Sequence, residues 1–135
     1  MISHTTRLRV RYADTDQMGI VYYAKYLEYF EVARTELLRE LGLPYRTLEE
    51  EGFALPVADA SIKYFKGATY DDELLVTATI APKNSPRLEI LYSITRSGDS
   101  APIAEGSTTL VFTDKENGKP IRPPAKYLQA VNIRG

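Results

Sequence analysis

The chain has no cysteine. That excludes a thiolate nucleophile, a disulfide framework and any cysteine-ligated metal, and it suits a reducing compartment. Histidine is nearly as scarce, with His4 the single imidazole and lying close to the N-terminus, where a frayed end is expected. Metal sites built without cysteine usually draw on several imidazoles, and Ser-His-Asp chemistry needs one held in place. No Gly-x-Ser-x-Gly elbow is present either. Zinc and serine hydrolases are therefore poor readings, and no metal is expected. Long apolar runs are also missing. No stretch nears the roughly 20 apolar residues that a membrane span requires, and the first residues carry no run of signal-peptide length. A soluble, cytoplasmic protein without membrane insertion is expected. Neither sign of charge dominates: 17 basic and 18 acidic residues leave a formal net charge of -1. Without a basic block, nucleic acid is not an expected partner.

What is present suits one domain spanning residues 1–135, large enough to fold without a staple. Residues 7–13 alternate charged and apolar side chains, the period of a half-buried strand. After a polar loop from Asp14 to Gly19, the period becomes helical from about Tyr22 to Leu41. Tyr26, Phe30, Ala33, Leu37 and Leu41 fall three or four apart, with Leu27 and Leu38 widening the stripe. Gly42 and Pro44 supply the stop. Short helices are expected over Tyr45–Glu51 and near Ala125–Val131. Four alternating runs follow the first short helix, at Ala58–Tyr64, Leu74–Ile80, Leu88–Ile94 and Ala104–Phe112. Turn-forming clusters separate them: Lys66-Gly67, Asn84-Ser85-Pro86 and Ser97-Gly98-Asp99. The layout is α+β, an antiparallel sheet of about five strands with one long helix to bury its apolar face. Curving the sheet around that helix is the economical solution. Leu75 and Leu91 fall on the outward parity, as scattered surface residues or as a contact with another subunit.

The chemistry concentrates in Asp14-Thr15-Asp16-Gln17-Met18-Gly19-Ile20-Val21-Tyr22-Tyr23. Two carboxylates stand two residues apart in a loop that runs into the long helix. A helix start leaves backbone N–H groups without intrahelical partners, and the macrodipole makes that end positive. It can hold an anion, or a carbonyl oxygen that becomes one during attack. Gly19 allows close backbone approach or a positive φ. Plainer uses compete. Either aspartate suits a helix cap or an Asx turn, and Tyr26 suits the core. An EF-hand is rejected, because Met18 and Lys25 stand where calcium needs oxygen ligands.

The same run, continued by Tyr26, Tyr29-Phe30-Glu31 and Ala33-Arg34, resembles the signature of the 4-hydroxybenzoyl-CoA thioesterase family, and more closely its small Tol-Pal-associated bacterial acyl-CoA thioesterases. The likeness extends through Tyr64-Phe65-Lys66-Gly67-Ala68 and Asp71-Asp72-Glu73-Leu74, covering roughly residues 7–112. It implies a hotdog fold and hydrolysis of acyl-CoA, with coenzyme A entering only as part of the substrate. It also implies Asp16 as catalytic carboxylate and the Tyr23 backbone N–H as the donor that polarises the thioester carbonyl. Gly19, Ile20, Val21 and Tyr22 would line the substrate. Many Tol-Pal-type relatives have histidine where this chain has Tyr23, so the main-chain donor carries the role here. Asp14 would shape the loop; Glu31 is a backup carboxylate. Lys63, Lys66, Arg87, Lys119 and Arg122 are candidates for the coenzyme A phosphates, with Lys66 and Arg87 foremost. A homodimer, with a homotetramer as a further step, is implied, because hotdog sites usually lie between protomers. The rival readings are a non-catalytic acyl-CoA-binding module and a hotdog dehydratase, the latter lacking a suitable histidine.

Overall fold

Period-two alternation builds most of the molecule. The computed structural model describes residues 1–131. In chain order its elements are β1 (Ile2–Arg9), α1 (Lys25–Glu40), α2 (Tyr45–Glu50), β2 (Phe53–Ala54), β3 (Val57–Tyr64), β4 (Glu73–Ala81), β5 (Arg87–Arg96), β6 (Pro102–Val111), β7 (Thr113–Asp114) and α3 (Ala125–Ala130). A single 3-10 turn at Tyr12–Asp14 precedes α1. Five strands form one antiparallel sheet in the order β1-β4-β5-β6-β3. The sheet curls around α1 in the hotdog arrangement that the sequence resemblance implied.

The inward rows are those the alternation marked. Leu74, Val76, Ala78 and Ile80 of β4 are sealed, as are Leu88, Ile90, Tyr92 and Ile94 of β5, beneath Phe30, Ala33 and Leu37 of α1. Fully burying one such side chain contributes about 1.5–3 kcal/mol. The rings of Phe30 and Tyr92 stack with centroids 4.3 Å apart and planes 7° from parallel. Room for this stack comes from Gly106 in the inward row of β6, where a Cβ would lie 2.7 Å from Phe30 Cε2. The Tyr92 hydroxyl, buried beside it, hydrogen-bonds Thr108 Oγ1 at 2.7 Å.

Several boundaries differ from the sequence expectation. His4 is not frayed; it pairs with Ala78 inside β1, which starts at Ile2 and ends at Arg9. Tyr12 and Ala13 leave the strand for the 3-10 turn. Helix α1 begins at Lys25 rather than Tyr22, because residues 20–24 are spent on bridges and a turn that serve the loop. Leu27 is largely exposed and does not widen the buried stripe. Strand β3 has the expected alternation, yet only Ile62 is even half-buried. A helix is about 10 Å across and strands lie about 4.8 Å apart, so one helix cannot cover five strands. β3 is the sheet edge left over. The two-residue strands β2 and β7, paired through Phe53–Asp114, are too short to register as a period.

Candidate active site

The segment between β1 and α1 folds as a tight hairpin. Thr15 bridges Val21, the Asp16 N–H reaches Ile20 O at 2.9 Å, and the Gly19 N–H returns to Asp16 O at 2.9 Å. Gly19 sits at φ +81°, the left-handed region that closes the turn and strains other residues. A second set of bonds ties this hairpin to the β3–β4 connection, through Val21 N–H to Ala68 O and a bridge from Ile20 to Thr69.

The two aspartates divide the work. Asp14 is buried, only 3% exposed, and its Oδ2 accepts the Tyr29 hydroxyl at 2.9 Å and the Arg11 N–H at 3.2 Å. Its Oδ1 faces Arg11 Nη2 at 3.2 Å and Lys25 Nζ at 3.9 Å. Burial pushes this carboxyl up, but the Tyr29 and Arg11 hydrogen bonds and the Arg11 charge outweigh it and hold the group below its ordinary value. The phenol of Tyr29 moves the other way, raised by burial and by donating to Asp14. Asp16 is half-buried and faces an open cleft of about 500 Å3 that it lines with Tyr12, Thr15, Gln17 and Gly19. Its Oδ1 accepts the Met18 N–H at 2.8 Å, an Asx turn. Among the described residues nothing engages its Oδ2. The plain turn-forming use and a free carboxylate oxygen therefore coexist in one side chain.

Tyr23 stands one residue before the helix cap Ala24, which supplies no capping side chain. The Lys25 N–H bonds Tyr22 O at 2.8 Å, and the Tyr22 N–H bonds Asp14 O at 2.9 Å. Among the described residues the Tyr23 N–H has no acceptor. The other side of this turn is held by Tyr64, whose hydroxyl donates to Tyr23 O at 2.8 Å. Tyr23, Tyr64, Ile20, Val21, Phe65 and Gly67 wall a second, apolar cleft of about 280 Å3. Ile20 presses on Gly67 so closely that a Cβ there would lie 2.8 Å from Ile20 Cγ2. Tyr26 closes the floor as a core residue, its hydroxyl accepting the Ala68 N–H at 3.3 Å. Tyr22 is exposed and packs its ring against Tyr23, centroids 4.8 Å apart. The hairpin from Asp16 to Tyr23 thus lines a polar cleft through Asp16 and adjoins an aromatic one through Tyr23.

The cations are dispersed. Lys66 lines the aromatic cleft but pairs with Asp99 at 3.1 Å. Lys63 Nζ lies 5.5 Å over the Phe65 ring. Arg87 opens β5 while Arg96, at the Lys66 end, closes it, so roughly 30 Å of strand separates Arg87 from Lys66. Lys119 and Arg122 lie at the Arg87 end, beside Phe112 and Pro86. Within one chain, Lys66 and Arg87 are not brought together. Glu31 is exposed and lines a separate 180 Å3 hollow with Arg34 and Thr35, away from Asp16. Among the described residues no three His, Asp or Glu side chains gather as a metal site requires, and no helix is long and apolar enough to cross a membrane. Sequence reasoning had not placed Tyr64 and Phe65 in a site. Their signal was two adjacent aromatics at a strand end, where alternation makes one of them face outward.

Fold and loop together define a thioesterase-type hotdog domain, and comparison with known proteins agrees. The family model described as the thioesterase-like superfamily matches residues 10–131, and the chain belongs to that family of thioester hydrolases. Among curated relatives, a protein named putative acyl-CoA thioesterase YneP from Bacillus subtilis is 38% identical over 115 residues, spanning 85% of this chain and 83% of the relative. The acyl-CoA thioesterase YbgC of Haemophilus influenzae is 34% identical, spanning 91% of this chain and 90% of its own. Among solved structures, the DHNA-CoA thioesterase of Staphylococcus aureus superposes with a TM-score of 0.91 at 30% identity, covering 98% of this chain and 90% of that one.

Proposed function

We propose that this protein hydrolyses acyl-CoA thioesters to a free carboxylic acid and coenzyme A, with Asp16 as the reacting carboxylate and the Tyr23 N–H as oxyanion donor. The observation that carries the reading is a half-buried Asp16 with one oxygen that no described residue engages, on the same short hairpin as an amide to which no described residue offers an acceptor. In one route the Asp16 oxygen adds to the thioester carbon and the C–S bond breaks. Water then hydrolyses the resulting mixed anhydride and protonates the thiolate. In the other, Asp16 takes a proton from water as the hydroxide adds, collapse of the adduct expels the thiolate, and the thiolate takes that proton back from Asp16. Charge developing on the carbonyl oxygen meets the Tyr23 N–H and the positive end of α1, worth about 3–4 kcal/mol per donor. A thiolate leaves readily, so no imidazole acid is needed. The open aromatic cleft beside Tyr23 suits the acyl group, with Gly19, Ile20, Val21 and Tyr22 along its path and Lys66 at its rim. Residence in the cytoplasm belongs to the same proposal and is checked by cell fractionation.

The working unit in this reading is a homodimer. β3 offers an eight-residue edge with little burial on either face. Asp59 and Lys63 stand symmetrically about Ser61 on that edge. Pairing two copies antiparallel about Ser61 sets each Asp59 opposite the other copy's Lys63, a favourable cross-strand match. It also closes the open side of the aromatic cleft, which β3 borders through Tyr64. A further step to a homotetramer would use the outward Leu75 and Leu91. Light scattering should give at least twice the chain mass, and a monomer at assay concentration would refute the dimer.

The deciding experiment is Asp16→Asn. Thiol release across aromatic, short and long acyl-CoAs should fall about 10²–10⁴-fold on every accepted substrate, while acyl-CoA still binds. Turnover within a few-fold of wild type would sink the reading. A wild-type protein that binds acyl-CoA and releases no thiol would instead be a binding module. A hotdog dehydratase is disfavoured because the single histidine, His4, sits in β1 opposite Ala78 rather than in the hairpin.

A further inference from the structure

We propose that Asp14 and Tyr29 form a positioning pair that holds the Asp16 carboxylate and the Tyr23 amide in register, so that Tyr29 governs turnover from outside the site. This rests on the reading of Asp16 above. The carboxylate of Asp14 is clamped on both sides of the hairpin's root. Behind it, Arg11 gives a backbone N–H and a guanidinium, each at 3.2 Å; ahead, Tyr29 on the first turns of α1 donates at 2.9 Å. The main chain of the same residue accepts the Tyr22 N–H at 2.9 Å, and the next peptide along, held by the Lys25 N–H on Tyr22 O at 2.8 Å, carries the Tyr23 N–H. Two residues along from Asp14 lies Asp16. One buried residue therefore fixes both reacting parts, and its side chain has a single anchor on the helix that is neutral and rigid.

The surroundings make that anchor demanding. Tyr29 is 6% exposed, and its ring meets Tyr26 edge-on at 5.8 Å, linking the anchor to the floor of the aromatic cleft. The charged groups facing the pair are Arg11 from the turn, Lys25 and Glu28 from α1, and Arg9 from β1. Lys25 is shared with Glu28 at 3.2 Å, and Arg9 is engaged by Asp71 and Glu73 at 3.7 and 3.5 Å. Neither can replace the Tyr29 hydrogen bond. Losing it leaves a buried carboxylate short of a donor, which raises its proton affinity and frees the hairpin to shift against α1. Near-attack geometry tolerates little of this, since a misplacement of about 1 Å can cost about 10²-fold.

The test is Tyr29→Phe, which keeps the ring and removes one oxygen, with Asp14→Asn as the second variant. Each is assayed well below its melting temperature. For both, kcat should fall tenfold or more while KM stays within about twofold. In Tyr29→Phe the acid limb of the kcat profile should also move to higher pH, because Asp14 takes up a proton sooner. A drop in melting temperature with wild-type kcat and an unmoved pH profile would make the pair merely structural and overturn the proposal. Asp16→Asn runs alongside. If it keeps turnover, the underlying reading has failed. If it is inactive while Tyr29→Phe behaves as wild type, only the positioning role has failed.

Discussion

Gly106→Ala is the sharpest test of how the core positions the site. Gly106 lies mid-strand in β6, paired with Ile62 of β3 on one side and Tyr92 of β5 on the other. An added Cβ would lie 2.7 Å from Phe30 Cε2 and 3.0 Å from Cζ, and would overlap the Ser61 carbonyl oxygen. Carbon atoms normally approach to about 3.5–4.0 Å, so the neighbours must give by close to 1 Å. Phe30 cannot retreat, because its other face is stacked on Tyr92 at 4.3 Å. Ser61 is backbone in the β3–β6 ladder. Overpacking of this kind costs about 1–3 kcal/mol, and the upper half applies when backbone must move. Loss of glycine's freedom in the unfolded chain offsets about 0.4–1 kcal/mol of it. The net, about 1–2.6 kcal/mol, corresponds to a melting temperature lowered by roughly 3–12 °C for a domain of this size. Because the displaced strand carries Tyr64, whose hydroxyl holds Tyr23 O, kcat should fall as well. Urea melts with an unchanged m-value give the stability, and thiol release gives kcat. A variant as stable as wild type would refute the packing argument.

Two more expectations concern the same region. Gly67→Ala meets a side chain rather than backbone, with Ile20 Cγ2 at 2.8 Å and Cβ at 3.1 Å. Its stability loss should stay near or under about 1 kcal/mol, but thiol release should drop severalfold because Ile20 lies between Asp16 and Tyr23; unchanged kinetics would contradict the placement of Ile20. On acidification, Asp14 and Asp72 both contribute. Burial raises each carboxyl, but Tyr29 and Arg11 for Asp14, and Arg96 and Thr69 for Asp72, hold both below their ordinary 3.8. Stability from these groups is in full force above that value and is lost as pH falls through the depressed folded values. Urea melts at stepped pH should show a shallower acid loss in Asp14→Asn and in Asp72→Asn than in wild type, and parallel curves would refute the assignment.

How much of this could be read along the chain depended on sequence distance. The inward rows of β4 and β5 were legible because side-chain parity is a two-residue property, unaffected by what packs above. The end of α1 was legible too: Gly42 takes φ +78° and Pro44 forbids continuation. The helix start was not, since Ile20 and Val21 answer to Thr69 and Ala68 and Tyr23 to Tyr64, all more than forty positions away. For the site, the hairpin bearing Asp16, Gly19 and Tyr23 could be located from local chemistry. The different surroundings of its two aspartates could not be read from local chemistry, because they depend on Tyr29 and on burial.

The sequence by itself determined most of the element types, the lack of cysteine and near-lack of histidine, and the loop where a carboxylate precedes a helix start. All of these follow from neighbours on the chain. Tertiary structure decided the rest. Curling five strands about one helix left β3 as an open edge, carried Tyr64 and Phe65 to Tyr23, and set Arg87 at the far end of the sheet from Lys66. The physical reason is that a strand's alternation says which residues share a face, while only packing says what that face meets.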